Sequence, residues 1–78
     1  MLHSHTAIHW RKFPDTMPPL NTEVLVIGRL FTDDEPRIHT DTLYPPGARH
    51  HPESTLYFWD SSDWDEVTHW APYPALPR

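Results

Sequence analysis

Seven histidines and eleven carboxylates carry most of the chemistry open to this chain of 78 residues. His3, His5 and His9 share parity, so an extended segment would project all three from one face. Neutral imidazoles so spaced can bind zinc or nickel. A structural site wants four ligands, and His50, His51 or Asp41 would have to complete it. The plainer reading is a solvated polar terminus, and no metal is assigned. His69, within Thr68-His69-Trp70, would need a nucleophile or carboxylate partner to act as a base. Ser61, Ser62, Asp63 and Asp65 are near in sequence, but no nucleophile motif surrounds them. A structural role is expected instead: a hydrogen bond to a backbone carbonyl, or packing beside an aromatic ring.

The acids fall in two groups. One is Asp33-Asp34-Glu35; the other is Asp60, Asp63, Asp65 and Glu66 around Trp64. A calcium loop wants alternating oxygen ligands, a Gly at the sharp turn and a distal Glu. Asp63 and Asp65 alternate, but the Gly and the distal Glu are missing. Two readings remain, solvated turns or an acidic surface that attracts a basic partner. Burying the Trp64 ring would drag Asp63 and Asp65 toward a low-dielectric interior. Trp64 is therefore expected to be the most exposed of the four Trp, and exposed Trp is enriched at interface hot spots. These eight residues form the candidate partner-binding set.

Composition narrows the function. A formal charge of −5 with only six Lys and Arg argues against direct nucleic-acid binding. Alternating aromatics could stack bases, but such platforms need a cationic groove. Zero Cys removes disulfides, Cys-type zinc sites and thiol nucleophiles. Two isolated glycines, Gly28 and Gly47, cannot cradle phosphates. No enzyme and no cofactor is expected. The longest apolar run, Val24-Leu25-Val26-Ile27, falls far short of the ~20 residues of a membrane span. No basic stretch followed by an apolar run opens the chain, so no secretory signal is expected.

The elements that must position these groups read as strands. Glu23 to Phe31 is rich in β-branched residues and apolar on both faces, which predicts a central strand. Arg37 to Tyr44 alternates, with Ile38, Thr40, Thr42 and Tyr44 on one face and His39, Asp41 and Leu43 on the other. Thr55 to Asp60 and Glu66 to Tyr73 give two more strands, and Ala7 to Phe13 is open between strand and helix. Ten prolines break any long helix. The expected fold is mainly β: one small antiparallel sheet of three to five strands, with Pro-rich loops and little helix. Residues 1–78 form one domain, with 1–6 a frayed end or short edge strand and 74–78 an extended tail. A chain this short buries only roughly 60% of its unfolded surface, so its aromatics are needed inside. Trp10, Val26, Phe58 and Trp70 are expected to share one buried cluster. Pro72, Pro74 and Pro77 match a PxxP spacing, but packing back over Trp10 or Trp70 is preferred.

An early Trp10, then Pro18, Val24-Leu25-Val26, the aromatic group Tyr57-Phe58-Trp59 and finally Val67-Thr68-His69-Trp70-Ala71-Pro72-Tyr73-Pro74-Ala75-Leu76-Pro77 form a recognisable pattern. It resembles the domain-of-unknown-function family numbered 551, small proteins common in tailed phages and prophages. The family usually has Met-Pro-Leu-Pro after its His-Trp, where this chain has Ala71-Pro72-Tyr73-Pro74. The segment Asp33–Ser54 aligns with nothing in the family. The resemblance implies a phage or prophage origin and expression in the cytoplasm of a bacterial host. It implies no catalytic chemistry. The expected function is a small acidic binder of a host macromolecule, in its sharpest form an inhibitor of host defence, anti-CRISPR-like, that covers a basic surface. The rivals are a His-based metal module and an accessory protein that binds another phage protein. The expected partner is a host protein with a basic surface, such as a nucleic-acid-binding complex. Neither nucleic acid itself nor a membrane is expected as a partner, and a homodimer stays open.

Overall fold

The computed structural model describes residues 8–73. They form one antiparallel sheet of five strands, with no helix among the described residues: β1 (Arg11–Lys12), β2 (Glu23–Leu30), β3 (Arg37–Tyr44), β4 (Phe58–Trp59) and β5 (Trp64–Ala71). Their order across the sheet is β1-β5-β2-β3-β4. The N-terminal histidines His3 and His5 and the tail prolines Pro74 and Pro77 lie outside the described residues, as do the expectations for segments 1–6 and 74–78.

The central strand is the one that composition marks. β2 pairs with β3 on one side and β5 on the other. A central strand has neighbours on both edges whose side chains flank its own on each face, and the run Val24–Ile27 supplies apolar groups to both faces. Val24 and Val26 are buried on one face; Leu25 and Ile27 are half-buried on the other. β3 alternates as its sequence does, with Asp41 and Leu43 buried and Ile38 and Thr40 exposed. Val24 faces Asp41 and Val26 faces His39, so these four residues share one face.

β5 departs from strict alternation. Leu25, Val26 and Ile27 face Ala71, Trp70 and His69, but Gly28 then faces Val67 and Leu30 faces Trp64. Thr68 and Asp65 are each an extra residue, a β-bulge that shifts parity by one. Trp64, Val67 and Trp70 thereby reach the same face as Val24 and Val26, although they are spaced by three. Alternation alone pairs Val67 with His69, and the bulge at Thr68 separates them.

This face holds the core. Val24, Val26 and Trp70 are buried together, with Phe13, Trp59, Trp64 and Val67 packed around them. Each large apolar side chain so buried contributes roughly 1.5–3 kcal/mol. The segment between β1 and β2 covers the cluster: Trp70 donates its Nε1–H to the Thr16 carbonyl at 2.8 Å, and Phe13 meets Trp59 at a tilt of 58° with ring centroids 5.2 Å apart. Arg11 lies over the Trp70 ring at 5.7 Å, within cation–π range.

Two of the four expected core residues, Val26 and Trp70, are in this cluster; Trp10 and Phe58 are half-buried and outside it. Register explains Phe58. It pairs with Tyr44, whereas its neighbour Trp59 pairs with the buried Leu43, so Trp59 takes the core side. Phe58 joins a second aromatic group with Tyr44, His50 and His51. Pro72 is exposed. Tyr73 turns to the opposite sheet face, where a hydrogen bond with the Glu23 carboxylate raises its pKa above the usual 10.0.

Candidate functional site

The topology gathers both acidic groups at one end of the sheet. β2 ends at Leu30, β3 begins at Arg37, and β5 begins at Trp64 beside Leu30. The Phe31 amide donates to the Asp63 carbonyl at 3.0 Å. The β2–β3 turn, with Asp33, Asp34 and Glu35, is thereby held against the start of β5, with Asp63, Asp65 and Glu66. Asp60 lies farther along, where its amide donates to the Thr42 carbonyl at 2.9 Å.

Some of these carboxylates are paired. Asp33 is the most engaged: its Oδ2 accepts the Leu30 amide at 2.9 Å and His39 Nε2 at 2.8 Å, and Arg37 lies 3.7 Å from Oδ1. The Leu30 bond is the main cause holding the Asp33 carboxyl below its usual 3.8. Asp65 pairs with Arg29. Asp34, Glu35, Asp63 and Glu66 are exposed and make no ion pair among the described residues. Between them stands Phe31, 65% exposed.

Trp64 is a correction to the sequence reading. It is half-buried and packs against the core. Its flanking acids stay exposed, Asp63 ahead of β5 and Asp65 as the extra residue of the bulge, so burying the ring does not bury either of them. The ring lies against Gly28, where an added Cβ would meet Trp64 Cζ3 at 2.8 Å and the Glu66 carbonyl at 2.5 Å. His39 meets it edge-on at 5.2 Å. The exposed aromatic of the acidic end is Phe31, which sequence reasoning missed because it closes an apolar strand.

The indole N–H of Trp64 donates to Oδ2 of Asp41 at 2.6 Å. Asp41 is the one buried charged residue among those described, 6% exposed. It also accepts the Ser61 amide at 3.2 Å and the Thr42 amide at 2.6 Å. One side chain thus pins β3, the crossing segment and the start of β5. The signal for Asp41 was its place beside Leu43 on the inward parity of β3.

Beside the crossing lies a cavity of about 390 Å³, walled by Phe58, Trp59 and Trp64 and by Asp60, Ser61 and Ser62, with His51 and Ser54 completing the lining. Of the expected binding residues, Trp64 and Asp60 line it and the other six do not.

His69 is held by its neighbour Thr68. Thr68 gives its hydroxyl proton to the Ile27 carbonyl at 3.2 Å, so His69 Nδ1, 2.9 Å from that oxygen, must be the donor. The expected carbonyl is thus replaced by a hydroxyl. Among the described residues His69 and Ser61 share no hydrogen bond: His69 meets Thr68, and Ser61 meets Asp41 and Asp63. Among the described residues no three His, Asp or Glu gather as a metal site. No described helix is long and apolar enough to cross a membrane. The chain matches no family model, no curated protein and no solved structure.

Proposed function

We propose that this chain is a non-enzymatic binding protein whose acidic end covers a basic surface on a host macromolecule. The observation that carries the reading is the Phe31–Asp63 backbone bond. It joins two acidic segments remote in sequence into one surface around an exposed ring. Six carboxylates meet two arginines there, Arg29 and Arg37, so most of the chain's formal charge of −5 belongs to this end. Clustered charge of one sign steers encounter with the opposite sign. An apolar ring inside such a cluster supplies the desolvated anchor that charges alone lack.

The finer form of the proposal is a phage or prophage protein in the bacterial cytoplasm that inhibits host defence, anti-CRISPR-like, by occupying a cleft that otherwise holds nucleic acid. It rests on the acidic surface and on the resemblance of the Val67–Pro77 motif. The family assignment remains part of the proposal.

The test is capture of the partner from bacterial lysate, followed by affinity measurements at two salt concentrations. Asp34→Lys, Glu35→Lys and Asp63→Lys together, and Phe31→Ala separately, should each weaken binding with the fold intact. Exposed charges are screened within ~8–10 Å at physiological ionic strength, so binding by the unaltered chain should fall with salt. Unchanged affinity in both variants would move the functional surface elsewhere.

A further inference from the structure

The cavity beside the β4–β5 crossing is lined by three aromatic residues, three serines and the Asp60 carboxylate, with His51 as the basic group among its described lining residues. Its walls include the rings of Phe58, Trp59 and Trp64, whose faces are negative by their quadrupole. Asp60 adds an exposed carboxylate to the lining, and Ser61 and Ser62 add hydroxyl acceptors. Among the described residues neither Lys nor Arg lines it.

A second, independent source of negative potential stands behind the wall. The buried Asp41 carboxylate binds Ser61 and Trp64, both of them lining residues. Its three partners are all N–H donors, and no ion pair among the described residues includes it. Its charge is solvated by dipoles and not cancelled by a cation. Hydrogen bonds in a low-dielectric setting polarise one another, so an indole that donates to an anion becomes richer in electrons at its face. The cavity is also held in shape: Phe13 backs Trp59, and Asp41 fixes Trp64. Little ordering is left to be done on binding.

We propose that this cavity takes the guanidinium group of an arginine side chain presented by the basic partner. A guanidinium is flat, delocalised and weakly hydrated, and it stacks on aromatic faces while its edge donates two parallel hydrogen bonds to a carboxylate. Rings for its face and Asp60 for its edge are both present. A volume of about 390 Å³ is at the small end of the ~300–1,000 Å³ range of ligand sites, which suits one side chain. The inference rests on the binding reading above and deepens it by naming the group recognised.

The experiment needs no partner. N-acetylargininamide is titrated into the full chain while the indole N–H resonances of Trp59 and Trp64 are followed by NMR, with N-acetyllysinamide and the neutral isostere N-acetylcitrullinamide as comparisons. The arginine probe should give saturable shifts at Trp59 and Trp64 and leave Trp70 unmoved. The citrulline probe should bind about tenfold more weakly, as loss of a charge-assisted contact implies. Asp60→Asn, at an exposed position, should weaken the arginine probe about threefold. Equal binding of citrulline would reassign the cavity to neutral ligands. Equal binding of lysine would remove the guanidinium preference, and absence of saturable shifts would overturn the proposal outright. If partner capture survives while the probe fails to bind, only this inference falls. If the charge-reversed variants lose no partner affinity while the probe binds, only the acidic-surface reading falls.

Discussion

Trp64 and Asp41, twenty-three positions apart, are joined by an indole N–H that donates to a buried carboxylate oxygen at 2.6 Å. The bond turns a Trp from an acidic turn inward, toward the core face. It also gives a charged residue on the inward side of β3 the partner that burial demands. The wall of the cavity and the path of the crossing both depend on it.

Asp41→Ala should destabilise the protein by about 2–4 kcal/mol, because three N–H donors lose their acceptor at once. Asp41→Asn keeps the shape and one acceptor oxygen and should cost less. A double-mutant cycle of Asp41→Asn with Trp64→Phe, read by denaturant unfolding, should give a coupling energy of about 0.5–3 kcal/mol. Additive costs would show that the bond contributes nothing specific.

Gly28→Ala should lower stability by about 1–3 kcal/mol. The new methyl would approach the Glu66 carbonyl to 2.5 Å and the Trp64 ring to 2.8 Å. A backbone carbonyl held by the ladder has little room to yield. The melting temperature reads the outcome, and an unchanged value would mean that β5 shifts freely at its bulges.

Trp70→Ala should leave the protein largely unfolded. The side chain is 5% exposed at the centre of the core cluster and donates to the Thr16 carbonyl. Truncating a buried aromatic typically costs ~3–5 kcal/mol, a large part of the ~5–15 kcal/mol that holds a domain together. A cooperative melt near that of the unaltered chain would contradict the packing.

Stability should fall with acid partly through Asp33. Its carboxyl is held below the usual 3.8, first by the Leu30 amide bond and also by His39 and Arg37. A carboxyl with a depressed folded-state pKa stabilises the fold fully above its unfolded value and loses that contribution as pH falls through the folded one. Asp33→Asn should therefore be less stable than the parent at neutral pH, and the gap should close as pH falls below the usual 3.8 and through the lowered folded-state value. Denaturation midpoints across that range test it; a gap that persists at low pH would assign the effect to packing.

Much of the sheet was legible in the chain itself. The β-branched run Val24–Ile27 favours a strand, and its apolar character on both faces suits the centre of the sheet, where β2 lies between β5 and β3. The alternation in Arg37–Tyr44 sets β3 residue for residue, with Asp41 and Leu43 inward. Period-two patterning and β-propensity are local properties, so the sequence displays them directly.

Tertiary structure decided what depends on register. Two bulges in β5 put Trp64, Val67 and Trp70 on one face, and a bulge leaves no mark in composition. The pairing of Leu43 with Trp59 chose Trp59 over Phe58 for the core, a choice of parity that either ring could have satisfied. The strand order β5-β2-β3 brought Asp33–Glu35 beside Asp63–Glu66 and left Phe31 exposed between them. Such meetings are long-range contacts fixed by ladder hydrogen bonds and by one buried carboxylate, and neither is a property of any short stretch of chain.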